Sequence, residues 1–313
     1  MRQAPGPGRA ATGIVYDTGL RRVADALALA LLHGFDGKNE ARLISVSVGV
    51  NNLNAAAYSD AVGQFYLGRS LPIGMAADGK PADDLPLFAA PLARGGHSIR
   101  KLNDTADPVA LVRNALTAQV DGTAVVILSG PATTLARVLA LRGSSDVIAH
   151  KVKFLALAVG AYPDGPPDPY LQADAAAAQR LLAEWPGQVV ACGSEVGNAL
   201  PFPAASIEKD FAWSPAHPIA AAFRAYRAMP YDASTEPMAA ALYAARPAGN
   251  YLHLSDPGTI RVMTDGSTKF MPSPDGKHRY LILDQAQKDR IIQIYTEVSS
   301  AKPVPRTRPR PQP

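Results

Sequence analysis

The chain has 313 residues, 47% hydrophobic and 19% charged, a composition typical of a soluble globular protein rather than of a disordered or fibrous one. Its formal net charge of +4 equals the charge of the segment 299–313 alone, which carries Lys302, Arg306, Arg308 and Arg310 and no acidic residue. The remainder is close to neutral, so the sequence gives no basic surface for nucleic acid and we predict no such partner.

The two ends differ in composition from the body. Residues 1–12 are rich in Gly and Pro and lack the apolar centre of a secretory signal, so we expect a disordered leader and a cytoplasmic location by default; export stays open for a chain whose start lies elsewhere. The basic, Pro-rich segment 299–313 is expected to be a disordered tail. Cys192 is the only cysteine, which excludes an internal disulfide, and no apolar run is long enough to predict a membrane span.

Short β-branched segments alternate with longer Ala- and Leu-rich segments over most of the chain. The predicted strands are 13–16, 43–50, 71–74, 123–128, 152–159 and 188–191. The predicted helices are 23–33, 55–66, 108–118, 133–141, 172–184, 218–228 and 238–245. Continuous apolar strands alternating with helices are typical of a parallel sheet that is covered on both faces. We therefore predict a single α/β domain over residues 13–298, with a doubly wound, mostly parallel sheet.

The pattern changes after about residue 248. Four short strands are predicted at 251–254, 259–262, 269–270 and 280–283, and turn sequences such as Asp-Pro-Gly and Asp-Gly separate them. They predict a small antiparallel extension, which a helix at 284–298 would close.

Polar residues follow most of the predicted parallel strands. In a doubly wound sheet, ligands bind at the carboxyl ends of the strands. A candidate site at this edge would therefore bring together residues that are far apart in sequence, namely Asp17, Asn51, Asn52, Ser129, Asp168 and Glu195.

The first strand ends in Asp17, and Asp25 follows in the first turn of the next predicted helix. One interpretation is that Asp25 only complements the positive end of that helix, a common arrangement. The other is that Asp17 and Asp25 face each other across the turn, as oxygen ligands of a hard cation would. The residues alone leave both interpretations open.

These features resemble those of the inosine–uridine-preferring nucleoside hydrolases. The opening Asp-Thr-Gly turn and its Ala/Leu-rich helix are followed, in the family's order, by similar segments at 58–74, 128–136, 168–177, 236–239 and 265–268. The likeness extends over residues 13–298. It implies an α/β fold of the nucleoside hydrolase type, and hydrolysis of the N-glycosidic bond of ribonucleosides.

The resemblance also implies site residues. In the family, calcium is held by aspartates of the first turn, by a serine or threonine carbonyl and by a late aspartate, while an aspartate takes a proton from the attacking water. Carried over, the metal ligands are Asp17, Asp25, Ser129 and Glu236, and the candidate catalytic residues are Asp17, as the base, and Asp25. The corresponding substrate-binding residues are Asn51, Asn52, Asp168, Tyr170 and Glu195.

The chain departs from the family where the metal would bind. Gly19 and Ala24 stand where aspartates are expected, and Arg21 and Arg22 fill a turn that is one residue longer. Two guanidinium groups would oppose a divalent cation, so we expect no cofactor, although calcium belongs to the family. The arginines either neutralise Asp17 and Asp25 or point to solvent.

Three functions therefore remain open. The favoured one is a nucleoside hydrolase-like protein whose calcium-dependent catalysis is impaired or lost. The alternatives are a divergent but active nucleoside N-ribohydrolase, and a non-catalytic nucleoside- or sugar-binding or interaction protein. The expected partner is a ribonucleoside or ribose-like small molecule. We expect no association with a membrane, and homo-oligomerisation is left open.

Overall fold

A computed structural model of the chain describes residues 11–78 and 81–303. The strands are β1 (Thr12–Thr18), β2 (Ala41–Val48), β3 (Ile73–Met75), β4 (Ala124–Ser129), β5 (Val152–Leu157), β6 (Asp164–Gly165), β7 (Gln188–Ala191), β8 (Leu252–Leu254), β9 (Gly258–Val262), β10 (Thr268–Pro272) and β11 (His278–Leu283). The α-helices are α1 (Val23–Gly37), α2 (Leu53–Leu67), α3 (Pro86–Ala93), α4 (Pro108–Thr117), α5 (Thr133–Ala140), α6 (Ser144–Lys151), α7 (Pro169–Ala173), α8 (Ala175–Glu184), α9 (Ser194–Ala199), α10 (Ala204–Lys209), α11 (Pro218–Tyr226), α12 (Glu236–Ala245) and α13 (Lys288–Ser299).

In the described part of the chain the strands form one sheet in the order β3-β2-β1-β4-β5-β7-β11-β9-β10-β6, and β8 pairs with β11. The pairs from β3 to β7 are all parallel. This arrangement confirms the predicted α/β class with a mostly parallel sheet. It places the carboxyl ends of β1, β2, β4, β5 and β7 along a single edge.

The sheet is buried on both faces, which explains why its central strands are apolar throughout. Along β1, Ile14 and Tyr16 belong to one core cluster while Val15 belongs to the other, because successive side chains of a strand point to opposite faces. The helix α1 is buried from Val23 to Asp36 and is therefore apolar on nearly all sides.

The sequence predictions for the six parallel strands and seven helices are close to the observed bounds. One difference is at 172–184, where the chain forms two helices because Asp174 ends α7 and caps the start of α8 by accepting from the Ala177 N–H. The helices α3, α6, α9 and α10 were not predicted, since each is short and lacks a clear apolar period.

The C-terminal extension is less purely antiparallel than predicted. β9 pairs antiparallel with β10, and β8 pairs antiparallel with β11, but β11 also lies parallel to β7 and so continues the main sheet. Of the predicted leader and tail, residues 1–10 and 304–313 lie outside the described residues, and Thr12 already begins β1. Among the helices of the described residues, none is long and apolar enough to cross a membrane.

Candidate functional site

A cleft of about 520 Å³ opens at the carboxyl edge of the sheet. Its walls include Arg21 and Arg22 after β1, Asn51 after β2, Thr133 at the start of α5, and Asp168 and Tyr170 at the start of α7. The cleft therefore lies where the doubly wound topology places a ligand site.

The turn between β1 and α1 is held by hydrogen bonds from two of its backbone N–H groups. The Gly19 N–H donates to the Ser129 carbonyl at 2.9 Å, and the Arg22 N–H donates to Asp25 Oδ2 at 3.1 Å. Asp25 thus satisfies a backbone N–H at the start of α1. The turn directs the Arg22 side chain into the candidate site.

The Arg22 guanidinium lies between two carboxylates that come from opposite ends of the sequence. Its Nη1 is 2.5 Å from Glu236 Oε1, and its Nη2 is 3.2 Å from Asp25 Oδ1. Nη2 also donates to Ser129 Oγ at 3.2 Å and to the Ala158 carbonyl at 3.4 Å. Burial alone would lower the pKa of Arg22, but Asp25 and Glu236 raise it more, so the net pKa is well above its usual value and the group stays charged.

Asp25 is fully buried and its two oxygens are surrounded by donors. Ser129 Oγ donates to Oδ1 at 2.5 Å, and Tyr170 Oη donates to Oδ2 at 2.6 Å. The Tyr170 ring also lies 4.7 Å from the Arg22 guanidinium carbon, and its hydroxyl accepts from the Arg21 N–H at 2.9 Å. Burial, and then the charge of Asp25, raise the pKa of Tyr170 well above normal, so its hydroxyl keeps its proton.

Gly19 explains how the Tyr170 ring fits beside the turn. A Cβ placed on Gly19 would come within 2.3 Å of Tyr170 Cε1, a distance that real side chains do not adopt. Because Gly19 has no side chain, it leaves the space that the tyrosine ring fills.

Glu236 is the first residue of α12 and is only 5% exposed. It accepts a hydrogen bond from Ser234 Oγ at 2.6 Å in addition to the contact with Arg22. The glutamate is therefore an acid at the start of a helix and also a partner of the arginine.

Asp17 is separate from this cluster. It is completely buried, neither carboxylate oxygen makes a hydrogen bond of normal geometry with a described residue, and Oδ1 lies beside Gly49, which lines the cleft. Burial raises the pKa of Asp17 to about 8, although Ser47 on β2 acts in the opposite direction. No arginine forms an ion pair with Asp17 in the described part of the chain, so the hypothesis that the arginines neutralise both aspartates applies to Asp25 only.

The expected substrate-binding residues are divided. Asn51, Asp168 and Tyr170 line the cleft, and Asp168 accepts from the N–H groups of Gly160, Tyr170 and Leu171. Asn52 instead caps α2 through the Ala55 N–H.

Glu195 lies after β7 and is not among the described residues that line the cleft. It accepts from the Tyr162 N–H at 3.0 Å, and its pKa is raised, mainly by burial, with a further contribution from Glu236. Sequence reasoning did not identify Thr133 or Asp78 as cleft residues; Thr133 lies within the family-like segment 128–136, whereas no motif in the sequence marked Asp78.

Among the described residues, no group of three or more His, Cys, Asp or Glu side chains is arranged to hold a metal ion. The cluster around Arg22 contains two carboxylates, one hydroxyl and one phenol, together with the guanidinium. Both Nη nitrogens of the guanidinium have acceptors in this ion-pair network, whereas the buried Arg22 Nε has no hydrogen-bond partner among the described residues.

Comparison with known proteins gives matches in structure but not in sequence. No protein-family model matches the chain, and no curated protein matches it significantly. The purine-preferring ribonucleoside hydrolase from Gardnerella vaginalis superposes with a TM-score of 0.70 at 16% identity, over 92% of this chain and 98% of that one. A plant nucleoside hydrolase superposes with a TM-score of 0.72 at 16% identity, over 93% of this chain and 100% of that one.

A third similar structure is the type III effector protein XopQ complexed with adenosine diphosphate ribose. Its TM-score is 0.68 at 12% identity, and 94% of each chain is covered. Together these structures show that the chain has the nucleoside hydrolase fold, as the sequence resemblance implied.

Proposed function

We propose that this chain is a nucleoside hydrolase-like protein that binds a ribose-containing ligand and has lost calcium-dependent catalysis. The single observation that supports this proposal is the position of the Arg22 guanidinium between Asp25 and Glu236. These two acids are the best counterparts of the family's metal ligands in the cluster.

The residues present do not fit a calcium ion. Calcium takes six to eight oxygen ligands, about 2.3–2.6 Å away. Here Asp25, Glu236 and Ser129 each have an Arg22 nitrogen within 3.2 Å. A divalent ion among them would face a fixed positive charge, a repulsion of about 4 kcal/mol per unit charge at 4 Å and an effective dielectric constant of 20. The guanidinium supplies the positive charge that these carboxylates need, so the cluster has no place for a catalytic metal.

The groups that would have to act as a base are also unsuited to that role. A general base must be deprotonated and within reach of the water that it activates. Asp17 is fully buried, and its pKa of about 8 keeps it mostly protonated at neutral pH. Asp25 already accepts from Ser129, Tyr170 and Arg22. The alternative of an active N-ribohydrolase is therefore the weaker one.

The cleft favours a binding role over that of a scaffold without a ligand. Its volume of about 520 Å³ lies within the usual range for small-molecule sites. Asn51 supplies an amide to its wall and Thr133 a hydroxyl, groups that suit the hydroxyls of a sugar. The similar structures are hydrolases of nucleosides and an effector complexed with adenosine diphosphate ribose, which makes a ribosyl group the shared chemistry.

The test combines binding with activity. We expect ribose, inosine or adenosine diphosphate ribose to raise the melting temperature of the wild type, while p-nitrophenyl riboside is not hydrolysed with or without calcium. Ala173→Trp, which fills the cleft from an exposed position on α7, should abolish the shift. Ala176→Trp, at an exposed position on α8 outside the cleft lining, is the matched control and should retain it. Calcium-dependent release of p-nitrophenol would favour the active enzyme, and the absence of any ligand effect would favour the interaction protein.

A further inference from the structure

Arg21 lines the same cleft as Arg22 but has a different environment. Its backbone N–H is held by Tyr170 Oη, which fixes the base of the side chain at the cleft wall. Its guanidinium makes no ion pair with any residue in the ranges 11–78 and 81–303. Arg21 is half-buried, so its unpaired charge is only partly exposed to solvent.

The other charged residues of the cleft wall are already engaged. The charge of Arg22 is offset by Asp25 and Glu236. Asp78 Oδ2 lies 2.5 Å from Arg137 Nη1, and this hydrogen bond lowers the pKa of Asp78. The carboxylate of Asp168 accepts three backbone N–H groups. Arg21 is therefore the charge in the described cleft lining that lacks a partner within the protein.

A second feature of the cleft favours an anion. The helix α5 begins at the cleft wall, where Pro131 and Thr133 belong to the lining, and no side chain caps its start. The first N–H groups of a helix have no acceptor within the helix, and they carry the positive end of its dipole. The start of α5 therefore adds partial positive charge to the cleft whose wall also carries Arg21, although the Asp174 carboxylate already accepts from Thr133 Oγ1 at 2.7 Å there.

We propose that the ligand is an anionic ribosyl compound, a phosphate ester of ribose or of a nucleoside, and that Arg21 binds its phosphate. This inference rests on the proposed function, because it assigns the class of ligand for the same cleft. A guanidinium matches two phosphate oxygens in a planar, bidentate contact, which a neutral sugar cannot provide. Arg21 is then a specificity-determining residue rather than part of the ion-pair network around Arg22.

The experiment is calorimetric titration of the full chain with ribose, ribose 5-phosphate, adenosine, adenosine 5′-monophosphate and inorganic phosphate. We expect each phosphate ester to bind about tenfold more tightly than its parent, which corresponds to about 1.4 kcal/mol, because the guanidinium would form charge-assisted hydrogen bonds to the phosphate. Comparison of the affinities for ribose 5-phosphate and adenosine 5′-monophosphate shows whether the preferred ligand is a sugar phosphate or a nucleotide. The gain should also decrease at high salt, because one interacting charge is partly exposed.

Arg21→Ala should remove the preference for the phosphate ester while changing the affinity for the parent compound by less than about twofold. Arg21→Lys, which retains the charge without the planar fork, should preserve part of the preference. Arg42→Ala is the matched control, because Arg42 is an exposed arginine near the start of β2, at the opposite end of the sheet, and makes no ion pair with a described residue.

The outcomes separate this inference from the proposed function. Binding of ribose and adenosine without any gain from the phosphate would overturn the inference and leave the proposed function standing. An equal loss of preference in Arg21→Ala and Arg42→Ala would also overturn it, since it would assign the effect to net charge alone. If none of the compounds binds, both proposals are wrong.

Discussion

Arg22 Nη1 and Glu236 Oε1 are 2.5 Å apart, although the two residues are separated by 214 positions in the sequence. The contact joins the start of α1 to the start of α12 across the carboxyl edge of the sheet. Asp25, which is completely buried, shares the same guanidinium. Arg22 therefore links α1 to α12 at this edge by pairing with both carboxylates.

Arg22→Ala is expected to destabilise the protein by about 3–5 kcal/mol at neutral pH, because it leaves the buried carboxylates of Asp25 and Glu236 without their cation. The measurement is urea unfolding of the wild type and the variant. Arg21→Ala removes the same charge from the adjacent residue, which makes no ion pair, and should change the free energy of unfolding by no more than about 0.5 kcal/mol. Similar losses in the two variants would contradict the assigned role of Arg22.

Gly19 and Tyr170 should behave as a coupled pair. Gly19→Ala brings a methyl group against the tyrosine ring, where a Cβ would lie 2.3 Å from Cε1, so the single variant should be strongly destabilised. In a Tyr170→Asn background the ring is absent, and the same change should cost less. Unfolding of the two single variants and the double variant should give a coupling energy of about 0.5–3 kcal/mol. Additive effects would mean that the ring does not occupy this space.

Asp17 should make stability depend on pH. Its pKa is about 8 in the folded protein against 3.8 as the reference for the unfolded chain, so the folded state holds an extra proton between these values. The stability from this proton is fully present below the unfolded pKa and is lost as the pH rises through the folded pKa.

Relative to Asp17→Asn, the wild type should therefore lose about 1.4 kcal/mol per pH unit between roughly pH 4 and pH 8. Urea unfolding of both proteins at pH 5 and pH 8 provides the comparison, and contributions from other titrating groups cancel in the difference. A difference that is the same at both pH values would show that Asp17 is already ionised at pH 5.

Much of the fold could be predicted from sequence because its signals are local. The apolar segments of β1 and β4 and the Ala/Leu-rich helix α1 are each recognisable without their neighbours. The parallel position of β11 beside β7 could not be predicted in this way. It depends on which free strand edge the chain meets after residue 248, and strand spacing alone does not encode that choice.

The candidate site was predicted only in part, for a similar reason. The topology rule brought Asp168 and Asn51 to one edge, and the resemblance drew attention to Tyr170, Arg21 and Arg22. Neither could say which arginine would turn inward, because that follows from the turn geometry that the Ser129 carbonyl and Asp25 impose. The isolation of Asp17 was equally hidden, since side chains at the end of one strand can face either side of the sheet.

The most direct test of the central claim, that Arg22 takes the place of a divalent cation, is calorimetric titration of calcium into the wild type and Arg22→Ala. The account predicts no binding heat for the wild type. It predicts measurable binding for Arg22→Ala, where calcium should also restore part of the lost stability, by about 2.7 kcal/mol at a hundredfold excess over the dissociation constant. Stoichiometric calcium binding by the wild type would contradict the account.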